Sequence, residues 1–187
     1  MKTPDFTTSF TVAATPRHVF NAIKNVRGWW SGNIEGDTDR QGAEFEYHYQ
    51  DVHRARMRIT EWVADRRIVW HVVDNYFKFT KDKTEWTGTD VIFDISPSGD
   101  ETKMTFTHRG LVPDYECFQI CHDAWTYYIQ ESLRELIVTG AGKPTPRDTG
   151  NGDAHPETPG GDRVHAGLKC ICHRLLIQAP AEKVYEA

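Results

Sequence analysis

The sequence predicts an α+β domain in which an antiparallel sheet packs against one long C-terminal helix, with short helical structure after the first strand. Three observations predict it. The only long helical pattern lies within residues 110–144, where Phe118, Cys121, Trp125, Tyr128 or Ile129, Ser132 and Leu136 recur at three- and four-residue steps. Nearly everything before it alternates with the period of a strand. A single amphipathic helix that follows a run of strands must lay its apolar stripe on their sheet.

Taken in order, residues 6–14 oppose Phe10, Val12 and Ala14 to Ser9, Thr11 and Ala13, which is a first strand. Thr15-Pro16 is a cap followed by proline at the first helical position, and Val19, Phe20 and Ile23 give the short helix a buried side. Residues 27–32 form a tight connection carrying Trp29 and Trp30, and residues 36–42 are rich in turn formers. Strands follow at 44–50, 54–62, 68–74, 89–96 and 102–108. Phe45, Tyr47 and Tyr49 share one face, as do Ala55, Met57, Ile59 and Glu61; Val91, Phe93 and Ile95 repeat the pattern, and so do Met104, Phe106 and His108. Residues 65–67 and 97–100 are short turns, so the sheet is an antiparallel meander. In the long helix Pro113 stops the preceding segment, Asp114 is positioned to cap the first amides, Gly140 suits a left-handed end and Pro144 forbids a restart.

Beyond that helix the composition turns to Pro, Gly, Thr and Asp. The expected organisation is a domain over 1–144, a flexible linker over 145–167 and a further segment over 168–187. The last segment repeats the opening: Ala179 to Ala187 aligns with Ala14 to Ala22, and Leu175 and Ile177 fall on Phe10 and Val12. It reads as the first strand and helix of a truncated second copy.

The 187 residues carry a net charge of −5 with both signs interleaved, which argues against a nucleic-acid surface. No apolar secretory stretch opens the chain and no segment approaches the roughly 20 apolar residues of a membrane span. The four cysteines stand as the close pairs Cys117/Cys121 and Cys170/Cys172, unlike a disulfide framework, so a soluble cytoplasmic protein with reduced thiols is expected.

Several of these residues carry a family resemblance. They are Phe10–Val12 with Ala14-Thr15-Pro16, Val19-Phe20 and Ala22-Ile23, then Trp29-Trp30 and Glu85-Trp86-Thr87-Gly88-Thr89. Phe106 to Leu111 and the helix from Cys117 through Trp125 and Ser132-Leu133 to Gly140 complete the set. Over residues 6–144 the chain resembles the START/SRPBCC helix-grip superfamily, and within it the branch named after the activator of the heat-shock-protein-90 ATPase. The resemblance implies a curved sheet gripping the long helix with a cavity between them. It also implies one of three activities: binding a small hydrophobic molecule, cyclase or hydrolase chemistry, or partnership with a chaperone. Eukaryotic activators carry a domain before this one, whereas this chain opens on the first strand, which weighs against the chaperone partner.

The inward faces assign the walls of the expected cavity to Phe45, Tyr47, Tyr49, Met57, Ile59, Phe93, Phe106, Trp125, Tyr128 and Ile129, with Trp30 and Trp86 at its rim; the alternative is that these aromatics simply fill a close-packed core. His108 and Glu61 are the polar residues on otherwise apolar faces. Together they would make an acid/base pair; apart, His108 is a satisfied strand-end histidine and Glu61 a solvated carboxylate. Cys117 and Cys121 share a helix face, yet His122 points about a hundred degrees from Cys121, so they read as structural cysteines and not as a metal site. Cys170-Ile171-Cys172-His173 is a lone pair in the tail and calls for no metal either. Arg54, Arg56 and Arg58 make a positive stripe that is either a solvated face or a surface for an acidic partner. The expected function is a noncatalytic ligand-binding or regulatory domain without cofactor, whose partners are a small hydrophobic molecule and, in the alternative, a protein, with neither nucleic acid nor membrane.

Overall fold

A computed structural model of the chain describes residues 3–148. The order is β1 (Phe6–Val12), α1 (Pro16–Lys24), α2 (Val26–Trp29), β2 (Ile34–Gly36), β3 (Glu44–Tyr49), β4 (His53–Val63), β5 (Arg67–Phe77), β6 (Asp90–Ser98) and β7 (Glu101–Arg109). A continuous helical run closes it: α3 (Phe118–Tyr127), a π-helical segment (Tyr128–Leu133) and α4 (Arg134–Thr139). All seven strands join one antiparallel sheet in the order β1-β7-β6-β5-β4-β3-β2. From β2 to β7 it is a meander, and β1 then pairs with the last strand, from Phe6 opposite His108 to Val12 opposite Thr102.

Alternation decides which side chains face inward. On β7, Thr102, Met104, Phe106 and His108 are buried while Glu101, Lys103 and Arg109 face solvent. On β4, Ala55, Met57 and Ile59 are fully buried and the intervening arginines exposed. The β4–β5 register slips twice, between Arg56 and Met57 and between Ile59 and Glu61. Such bulges bend the strand. The second slip also ends the inward series, so Glu61 does not continue the face of Ile59. Residues 34–36, absent from the expected strands, form a short edge strand against Tyr47–Phe45 of β3.

At α1 the expected signals operate: the Thr15 hydroxyl accepts the His18 amide at 3.2 Å and Pro16 takes the first turn. At the long helix they do not. Asp114 accepts a hydrogen bond from Thr3 instead of capping, and the helix begins at Phe118. Its leading amides are held from elsewhere in the chain, because the buried Glu85 carboxylate accepts the N–H groups of Glu116 (2.7 Å) and Cys117 (2.9 Å). A carboxylate there also complements the positive end of the helix dipole. The helix ends as expected on Gly140 at φ +81°, whose amide returns to Leu136.

Past Gly140 the chain doubles back. Thr145 donates its amide to Trp30 (3.0 Å) and accepts that of Gly32 (2.8 Å) in a parallel bridge, and its hydroxyl lies 2.6 Å from that of Tyr128. Ser132, in the π-helical segment, donates to the Trp29 carbonyl and accepts the Lys143 amide, both at 2.7 Å. Gly142 passes so close that an added Cβ would lie 2.3 Å from the Gly28 carbonyl oxygen. Residues 141–147 thus form a strap over the Trp29–Trp30 turn, and the first residues of the expected linker are held on the domain. The rest of that linker and the expected repeat over 168–187 lie outside the described residues.

Candidate functional site: a buried aromatic wall

The inner face of the sheet and the C-terminal helix enclose an aromatic cluster that includes five of the six tryptophans. Trp30 packs on Tyr47 (4.5 Å between ring centroids), Trp125 (5.0 Å) and Trp70 (6.1 Å). Trp86 stacks on Trp125 at 5.8 Å, and Trp29 on Trp70 at 6.2 Å. The Trp29–Trp30 turn is pinned from behind by Ser132 and the strap, which brings both indoles under the sheet.

Of the residues expected around a cavity, Phe45, Tyr47, Met57, Ile59, Phe93, Phe106, His108, Trp125, Tyr128 and Ile129 are buried in this cluster, while Tyr49 is partly buried against it. Trp30 and Trp86 were expected at the rim. They lie inside, at 2% and 3% exposure, because Trp86 stacks on Trp125 and Trp30 packs on it at a tilt of 42°.

His108 is fully buried and both of its nitrogens are engaged. Trp125 Nε1, which can only donate, gives its proton to His108 Nδ1 at 3.1 Å. That assigns the remaining proton to Nε2, which donates to Thr89 Oγ1 at 2.9 Å, and Thr89 donates onward to the Trp86 carbonyl. Burial pushes the His108 pKa down to about 3, so the ring is neutral. Glu61 is nowhere near it. The two strands that carry them are separated by β5 and β6, so three strand spacings, about 14 Å, intervene. Glu61 is half exposed and bonded to Arg67 at 3.1 Å. The structure therefore does not assemble these two as an acid/base pair.

The cysteines and arginines resolve as well. Cys117 and Cys121 are free and buried, and burial with the neighbouring Cys117 pushes the Cys121 thiol well up. His122 turns away to Asp123 and the Phe6 ring. Among the described residues no group of three or more His, Cys, Asp or Glu side chains is arranged for a metal ion. On the outer face Arg58 meets Glu44 (2.7 Å) and Arg54 meets Asp74 (2.8 Å), so acidic neighbours lace the stripe. The same face carries a row of His71, Asp90 and Arg109. Burial works to raise the Asp90 pKa, but hydrogen bonds from Arg109 and His71 hold it below the usual carboxylate range.

Residues at this cluster that the sequence does not single out include Trp70, His53, Asn75 and Thr89. Trp70 lies between Ile68 and Val72 at period two, a signal that was present in the chain. His53, Asn75 and Thr89 stand at strand ends, where polar residues ordinarily face water. The slip in the β4–β5 register brings Asn75 opposite Ala55 on the inner face.

An open antiparallel sheet gripping a C-terminal helix across a buried aromatic wall defines a helix-grip domain. A family model described as Activator of Hsp90 ATPase homolog 1-like protein matches residues 13–137, and the chain belongs to that family. Among curated proteins none matches the sequence. Solved structures that it resembles include the Aha1 dimer from Colwellia psychrerythraea (TM-score 0.60, 17% identity, covering 74% of this chain and 99% of that one). Another is protein SSP2350 from Staphylococcus saprophyticus (0.57, 15%, 76% and 98%). CalU16 from Micromonospora echinospora is a third (0.50, 16%, 71% and 74%). At these identities the likeness is one of fold. Among the described residues no helix is long and apolar enough to cross a membrane.

Proposed function

We propose that this chain is a noncatalytic, regulatory helix-grip domain that binds a small hydrophobic molecule between the sheet and the C-terminal helix. The observation that carries the reading is the aromatic wall, in which Trp29, Trp30, Trp70, Trp86 and Trp125 join one cluster on the inner side of the sheet. Flat aromatic surfaces of this kind suit a flat apolar guest. The state of His108 supports the noncatalytic half of the proposal. Its nitrogens are both committed, it is neutral, and the one carboxylate expected beside it belongs to another strand.

The test is native mass spectrometry of protein purified from its source cells, before and after mild denaturation. A discrete additional mass that departs on unfolding is the expected result. A clean apo mass, together with a chaperone captured in a pull-down, would replace this reading with the protein-partner one. Turnover abolished by a folded His108→Ala variant would replace it with the cyclase or hydrolase reading.

A further inference from the structure

The aromatic wall leaves four buried polar atoms without a hydrogen-bond partner: His53 Nε2, Trp70 Nε1, Asn75 Nδ2 and Trp86 Nε1. Native interiors contain few such atoms, because a buried donor or acceptor that loses water without gaining a partner is costly. The four share a chemical bias. Both indole nitrogens can only donate. The Asn75 amide is oriented by its surroundings, since its Oδ1 accepts the amides of Trp86 (2.9 Å) and Thr87 (3.1 Å). Its Nδ2 is therefore a donor that lacks an acceptor. Trp86 Nε1 leans toward the Cys121 sulfur, a weak acceptor, without reaching hydrogen-bond geometry. The His53 ring, whose pKa burial pushes down to about 3, is neutral and able to give or take one bond.

The four are also contiguous. Trp86 adjoins Asn75 through its amide and His53 through their rings (4.9 Å). His53 touches Tyr47 (5.0 Å), and Tyr47 leads through Trp30 to Trp70. Among the described residues no lysine or arginine is buried, so no countercharge awaits an anion here.

Resting on the ligand-binding reading above, we infer that the molecule bound at this wall is an uncharged aromatic compound bearing a carbonyl-type oxygen, directed at the His53–Asn75–Trp86 end. The rings supply faces for stacking and the orphaned donors supply the polar complement.

Three probes of one shape class test this on the full chain by equilibrium dialysis: 2-acetylnaphthalene, 2-isopropenylnaphthalene, in which CH2 replaces the carbonyl oxygen, and 2-naphthoate. The ketone is expected to bind at least about tenfold more tightly than the alkene, and the carboxylate more weakly than the ketone. A folded Trp86→Phe variant, which keeps a ring and loses the donor, is expected to narrow the ketone-to-alkene ratio; an unchanged ratio removes Trp86 from the acceptor site. Equal binding of ketone and alkene overturns the acceptor inference and leaves the ligand-binding reading standing. Tighter binding of the naphthoate overturns the uncharged class. If neither neutral probe binds up to its solubility, the ligand-binding reading and the acceptor inference fall together.

Discussion

His108 shows how one side chain can look catalytic and be structural. Period two places it on the inner face of β7, and the structure agrees. What alternation along one strand cannot convey is that Trp125 and Thr89 consume both nitrogens, since those partners come from the helix and from the start of the next strand over. Glu61 departs from the expected face for a comparable reason: a register slip turns it off the inner face, and nothing in residues 54–62 announces the slip. The two neutral imidazoles have a consequence for stability. His53 and His108 both fall from 6.5 to about 3 on folding. Above pH 6.5 neither state binds the extra proton and nothing is lost. Between about 6.5 and 3 the unfolded chain takes up protons that the folded one refuses, so stability declines as pH falls through that window. Urea midpoints at pH 7.5 and 4.5 should show this decline. His108→Gln should cost about 1–3 kcal/mol at pH 7.5 yet decline less steeply toward pH 4.5 than the unaltered chain. An equally steep decline would mean that His108 does not resist protonation.

Among elements, the strands and the C-terminal helix were legible because their signals are local and repeated, and Thr15-Pro16 and Gly140 marked ends by their own chemistry. The helix start was not, since its cap arrives from Glu85, roughly thirty positions earlier. Nor was the strap: Lys143 to Arg147 has the composition of a linker, and it is held through backbone bonds to Trp30 and Gly32 that side-chain patterns do not encode. A pair of glycine variants separates the two ends of this segment. Gly142→Ala places a methyl group against the Gly28 carbonyl and should cost about 1–3 kcal/mol while changing the near-ultraviolet circular dichroism of the tryptophans beneath. Gly140→Ala meets no neighbour but must hold φ at +81°, so it should cost about 1 kcal/mol and leave that spectrum unchanged. Identical spectra for the two variants would deny the strap its hold on the Trp29–Trp30 turn.

For the molecule as a whole, the family and the sheet-on-helix architecture could be read from residues 6–144, whereas the polar inventory of the interior could not. Whether Asn75, His53 or Trp86 finds a partner depends on loops folding over the ends of the sheet. One of those loops joins the two halves of the structure through adjacent residues: Trp86 faces the aromatic wall, and Glu85 holds the first amides of the helix. The interior and the helix end are therefore linked through two adjacent residues of one loop. On the ligand-binding proposal, a guest that favours the seated position of Trp86 would also slow fraying at Glu116 and Cys117, and by reciprocity anything that loosens the helix end would weaken the guest. Amide hydrogen exchange at those two positions should slow when 2-acetylnaphthalene is added. Glu85→Gln should lower the affinity for that probe without touching it, so the start of the gripping helix would act as a reporter of whether the wall is occupied.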